Sequence, residues 1–164
     1  MSDKKQEILD QLRALAEKQL SERTQKRDLA VEKMEALGTR EDAEAQSLLM
    51  DYLVQQENDL LRPLAASRLS EIGNHAVVTR LLTLLETDLA DDSRILMLQI
   101  LADIGDSSAS SNLIAILNSD SMSEVRQRSA FALGKIGGDK VFEVLVNGLT
   151  DETDNKVRQQ MISA

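Results

Sequence analysis

The chain carries a single histidine, His75, and no cysteine in its 164 residues. Zinc sites and thiol–imidazole pairs need companions for a histidine, and none is present. His75 follows Asn74 at an expected helix start, in a slot filled by Ser107 and Asp139 further along. It therefore reads as a surface residue. The 28 Asp and Glu residues are spread along helix surfaces, where solvation is their default. Two acidic turn segments, EDAEAQ (41–46) and TDETDN (150–155), lack the D-x-D-x-D-G order of a calcium loop. There is no Gly-rich phosphate loop and no G-x-S-x-G. No catalytic, cofactor-binding or metal-ligating set is assigned, and no cofactor is expected.

The arginines have a pattern. DLLRPLAASRLSEIG (59–73), DDSRILMLQILADIG (91–105) and SEVRQRSAFALGKIG (123–137) superpose at an offset of 32 residues. Arg62, Arg94 and Arg126 coincide, and NKVRQQMISA adds Arg158 in the same frame. Leu69, Leu101 and Leu133 align, as do the Ile-Gly pairs ending at Gly73, Gly105 and Gly137. Three residues before each arginine stands Asp59, Asp91, Ser123 or Asn155, each able to accept a bond from a free amide of the first helical turn. An earlier copy, TQKRDLAVEKMEALG (24–38), ends 35 residues before Gly73, implying a three-residue insertion near Thr39 to Asp42.

Such a period demands elements to carry it. A second helix type alternates with the first: RLLTLLE (80–86), NLIAILN (112–118) and EVLVNGLT (143–150), with SLLMDYLVQ (47–55) before them. Ile8, Leu9, Leu12, Leu15, Ala16 and Leu20 give an initial segment at helical spacing. Outer helices are expected near 4–20, 42–56, 75–87, 107–118 and 139–150. Arginine-bearing helices are expected near 24–37, 60–72, 92–104, 124–136 and 156–164. A lone hairpin cannot bury both its apolar faces, so neighbours must stack. The expected fold is an all-α, right-handed α-solenoid of about five hairpins. They run over about 1–38, 39–73, 74–105, 106–137 and 138–164, in one domain. The last is expected to be incomplete, its face at Val157, Met161 and Ile162 left for further chain or a partner.

Composition agrees. Aromatics are only 2%, with no Trp, one Pro and seven Gly. Aliphatic side chains must fill the core, and helices joined by short turns suit such a chain better than sheets. The formal charge of −9 disfavours phosphate backbones and anionic membrane surfaces. No run approaches a transmembrane length and the start has no signal-like apolar region. A cytoplasmic location is expected.

The Arg-bearing helix ending in L-G-x-I-G, followed by an L-L-x-L-L helix, resembles HEAT-like repeats of the bilin-lyase type. The resemblance covers residues 24–164 well and is closest at SEVRQRSAFALGKIG. The copy at 91–105 departs from it, with Ser93 where Val is usual and Met97 and Leu98 where small residues are usual. The family pattern implies that an acid six residues before each arginine pairs with it or with its neighbour. Asp88, Asp120 and Glu152 match; Gln56 and Ser21 do not, so the ladder should fade toward the N-terminus. These acids, with Arg62, Arg94, Arg126 and Arg158, are expected to be structural.

The resemblance also implies that the Arg-bearing helices line a concave inner face. Val125, Ala130, Leu133 and Ile136 then fill the core, leaving Gln127, Phe131 and Lys135 opposite. One repeat earlier the equivalents are Ile95, Gln99 and Asp103, and before them Pro63, Ser67 and Glu71. Ile95 and Phe131 are apolar where solvent is expected, which fits either partner contact or packing on a neighbouring helix. Phe131→Ala is expected to leave the fold intact and to weaken partner binding. Iron-dependent hydroxylases of this repeat class need paired His-Glu ligands, and its DNA glycosylases need a basic, aromatic-lined face; the chain has neither. The reading is a non-catalytic scaffold that binds another protein on the concave face, and no nucleic acid or membrane. The alternative is an accessory subunit of a bilin lyase or a similar protein-modifying enzyme.

Overall fold

The computed structural model describes residues 43–54 and 61–164, together with residues 21, 22, 25 and 32. The expected helices at 4–20 and 24–37, the inferred insertion and Asp59 lie largely or wholly outside the described residues. The elements are α1 (Ala43–Val54), α2 (Leu61–Ile72), α3 (His75–Leu85), α4 (Asp91–Ile104), a 3-10 turn (Ser107–Ala109), α5 (Ser110–Ser119), α6 (Ser123–Ile136), α7 (Asp139–Gly148) and α8 (Asn155–Ser163). No strand occurs among the described residues.

The Arg-bearing helices stack in chain order, α2 on α4, α4 on α6 and α6 on α8. Each outer helix packs on the Arg-bearing helix that follows it: α1 on α2, α3 on α4, α5 on α6 and α7 on α8. The result is an all-α solenoid of stacked hairpins. One apolar seam runs through it. Leu69, Leu101 and Leu133 are all buried, as are Leu81, Leu113 and Leu145 on the outer helices. Burying each such leucine contributes about 2 kcal/mol, and they recur at the 32-residue period.

Helix ends explain the turns. Gly105 and Gly137 have φ of 68° and 70°, and their amides donate to the carbonyls of Leu101 and Leu133. A side chain there would meet the left-handed steric penalty, so the glycines stop both helices at the same point in the period. The N-termini correct the sequence reading. Ala90 and Met122 are the N-cap residues of α4 and α6, with no side-chain cap bond, and Asp91 and Ser123 lie inside the first turns. At α8 the capping carboxylate is that of Asp154, not Asn155; it accepts from the amides of Lys156 and Val157. Those two bonds hold the Asp154 carboxyl below its usual range.

The departures in α4 also have causes. Ser93 is buried, and its hydroxyl donates to the Leu53 carbonyl of α1 at 3.1 Å. Met97 and Leu98 are fully buried, on a helix packed against α1, α2, α3 and α6. On α7 and α8, Phe142 and Ile162 are 68% and 72% exposed. Their equivalents 64 residues earlier, Val78 and Leu98, are fully buried by adjoining repeats.

Candidate functional site

The arginine ladder and the groove beside it are built by the same helices. Arg126, in the first turn of α6, reaches forward to the turn before α8. Its Nε and Nη2 each donate to the Glu152 carboxylate at 2.8 Å, a two-pronged fork. Its Nη1 donates to the Asp120 carbonyl at 2.8 Å and to that of Ser121 at 3.3 Å. Glu152 Oε1 also accepts from the Asp154 amide at 2.8 Å. One repeat earlier Arg94 pairs with Asp120, whose Oδ1 accepts from the Met122 amide. Each acid thus ties the previous repeat's arginine to the amide of the residue that begins the next helix.

These pairs are half-sheltered. The Glu152 side chain is 8% exposed. The Arg126 fork pulls its carboxyl down from 4.5 to about 2, with help from the Asp154 amide and against the upward push of burial. The same bonds raise the Arg126 guanidinium. Asp120 and Glu152, each six residues before an arginine, are therefore the partners of the preceding arginine, 26 residues back, and Asp120 touches its own, Arg126, only through its backbone carbonyl. Asp88 is exposed and makes no ion pair among the described residues. Arg62 has an interaction of its own, and Arg158 is exposed on α8.

Two adjoining grooves, of about 450 and 400 Å³, run along α4 on the same layer. The α4 wall is a single stripe: Asp92, Ile95, Leu96, Gln99, Ile100 and Asp103. Their spacing of three and four residues keeps them on one helix face. The α2 wall includes Pro63, Ser67 and Glu71; Glu124 and Arg128 close one end from α6. Gln99 ties the stripe to α6, donating to Asp103 at 2.9 Å and accepting from Arg128 at 3.3 Å.

The structure thus brings Ile95, Gln99 and Asp103 together with Pro63, Ser67 and Glu71. Gln127, Phe131 and Lys135 do not line either groove. Ile95 and Phe131 are both half-buried and packed against the core, so neither is the exposed anchor that the pattern allowed. Lys135 Nζ sits 5.5 Å from the Phe131 ring centroid, in a cation–π contact. Sequence reasoning missed Arg128, Glu124 and Asp92. All three stand one helical position beside the strip it followed, and aligning that neighbouring row would have found them.

Elsewhere, His75 is exposed and its Nδ1 lies 3.3 Å from Asp106 Oδ2 and 3.4 Å from Ser108 Oγ. Both neighbours approach the same ring nitrogen, so the trio lacks the relay geometry of a hydrolytic triad. The Ser108 amide and hydroxyl, then His75, hold the Asp106 carboxyl below its usual range. No group of three or more His, Cys, Asp and Glu side chains among the described residues has metal-binding geometry. No described helix is long and apolar enough to cross a membrane.

Stacked antiparallel helix pairs with an inter-repeat ladder and a groove along one layer define a helical-repeat protein of the solenoid class. A family model described as HEAT repeats matches residues 79–164, more than half of the chain, and the chain belongs to that family. Proteins of this family generally serve as interaction scaffolds. No curated protein matches the chain.

Proposed function

We propose that this chain is a non-catalytic interaction scaffold that binds another protein across its Arg-bearing layer, the concave side of a HEAT-like stack. The observation that carries the reading is the unbroken stripe on α4, half apolar and half polar, between the walls of α2 and α6. A long groove of this make-up suits a segment of polypeptide. The formal charge of −9 favours a protein partner over nucleic acid. Arg94 and Arg126, with Asp120 and Glu152, serve the stack rather than the partner. The chain acts as one repeat domain with the hairpin bounds given above.

Affinity capture from source lysate tests this. Ser67→Trp fills the groove from an exposed position, whereas Thr79→Trp adds the same bulk to the exposed side of α3. Ser67→Trp should lose the captured protein and Thr79→Trp should retain it, both with near-normal melting temperature. Capture unchanged by Ser67→Trp, or lost equally in both, would sink the reading. A phycobiliprotein as the selectively captured species would identify the accessory-subunit role instead.

A further inference from the structure

The α7–α8 hairpin leaves open a surface that an earlier hairpin has covered. Of the four large apolar side chains exposed among the described residues, three stand on it: Phe142 and Val146 on α7, and Ile162 on α8. Phe142 and Val146 are four residues apart, as are Arg158 and Ile162, so each pair shares one helix face. The equivalents 64 residues earlier, on α3 and α4, are Val78, Leu82, Arg94 and Leu98. There Val78 and Leu98 are fully buried, Leu82 packs against the core, and Arg94 pairs with Asp120. The cover is the next hairpin: α3 meets the 3-10 turn and α4 meets α6. Asp120 stands in the turn ahead of α6, and Arg126 meets Glu152 from the turn ahead of α8 in the same way. The Arg158 side chain is exposed and makes no hydrogen bond or ion pair among the described residues. The Asp154 carboxylate, one helical turn before it, is taken up by the amides of Lys156 and Val157.

We infer that this face takes a helix pair of a partner protein, one that carries a carboxylate in the turn ahead of its second helix. The pair takes the place on α7 and α8 that the 3-10 turn, α5 and α6 hold on α3 and α4. Its aliphatic side chains cover Phe142, Val146 and Ile162, and its carboxylate meets Arg158. The apolar patch alone would accept many amphipathic helices; the uncommitted guanidinium beside it selects an acid at that point and rejects a base. Asp139 adds a second preference. It is exposed at the start of α7, in the slot where His75 approaches Asp106, so an acid at the start of the partner's first helix is disfavoured. The inference does not use the α4 groove and adds a second contact surface to the chain.

The probe is a fluorescein-labelled peptide of residues 106–137 carrying Asp106→Asn, which keeps a capping oxygen and removes the charge that would face Asp139. Titrated with the full chain, it should bind with a rise in anisotropy and a gain of helix by circular dichroism. Arg158→Glu in the chain should weaken binding about tenfold or more, and so should adding Asp120→Lys to the peptide. The Asp120→Lys peptide should regain most of the affinity on the Arg158→Glu chain. Lys135→Glu makes the same change in net charge from an exposed position on α6 and should leave both peptides within about twofold of their affinity for the unaltered chain. Phe142→Ser combined with Ile162→Ser should weaken binding more than tenfold, and Ser67→Trp should leave it unchanged. Melting temperatures confirm that the variants fold. Absence of binding would overturn the inference, as would equal effects of Arg158→Glu and Lys135→Glu. Loss of binding in Ser67→Trp would put the peptide in the α4 groove and overturn it too. So would a dimer of the chain alone in sedimentation that Phe142→Ser with Ile162→Ser dissolves, since a second copy would then be the occupant.

Discussion

Glu152 concentrates several jobs in one side chain, and its titration reports on them. Its folded pKa is depressed from 4.5 to about 2. A depressed carboxyl contributes stability that is present above its unfolded pKa and is lost as pH falls through the folded one. The Arg126 fork should therefore stabilise the chain fully above about pH 4.5 and fade toward pH 2, by on the order of 2–3 kcal/mol. Glu152→Gln should lower the melting temperature at pH 7, and the gap to wild type should close between pH 4.5 and 2. A gap that stays constant across that window would show that the fork carries no such energy. Arg126→Lys should recover only part of the loss in Arg126→Ala, since a lysine cannot present the planar fork. Ser93 makes a smaller claim. Removing its hydroxyl in Ser93→Ala deprives the Leu53 carbonyl of a donor in a buried setting, and should cost about 1 kcal/mol in urea denaturation.

Among the helices, burial separates positions that look alike in sequence. Leu133 of α6 is fully buried, and Leu133→Ala should cost about 3 kcal/mol through lost contacts and a residual cavity. Ile162 of α8 is as apolar but 72% exposed, and Ile162→Ala should stay within about 0.5 kcal/mol. Phe131 falls between. It is half-buried against the core, so Phe131→Ala should cost about 1–2 kcal/mol in the same urea titrations, with the fold retained. The helices themselves were legible because the 32-residue period repeats both the apolar rows and the closing glycines. The exact caps were not. Adjacent Asp154 and Asn155 are both good capping residues, and only the path of the turn decides between them. The partners of the ladder acids were half legible. The six-residue spacing marks Asp120 and Glu152, but which neighbouring arginine each one meets depends on the direction of stacking, which a linear pattern does not carry. The groove was legible along the row from Ile95 to Asp103. Its α6 end at Glu124 and Arg128 was not, because those residues replace the acidic and apolar residues of earlier copies with no break in the helical pattern.

Taken as a whole, the chain is a row of units that each lean on their neighbours, and its stability should be spread accordingly. The helix α4 is touched by α1, α2, α3 and α6 and buries Met97, Leu98, Ile100 and Leu101. The helix α7 buries only Val141 and Leu145. Amide exchange should therefore be slowest in α4 and α6 and faster in α7 and α8, because local opening costs least where few apolar contacts break. Glu152→Gln sharpens the test, since it removes the charge and one acceptor from the tie between α6 and the start of α8 while leaving Arg94 and Asp120 in place. In a stacked array the variant should raise exchange in α7 and α8 by an order of magnitude and leave α4 nearly unchanged. A molecule built around one closed core would unfold as a unit, and the same substitution would then raise exchange in every helix by one common factor. Exchange measured by mass spectrometry, with peptides covering α4 and α8 separately, tells these two cases apart. A uniform rise would mean that the hairpins do not carry their stability neighbour by neighbour, whatever their arrangement in space.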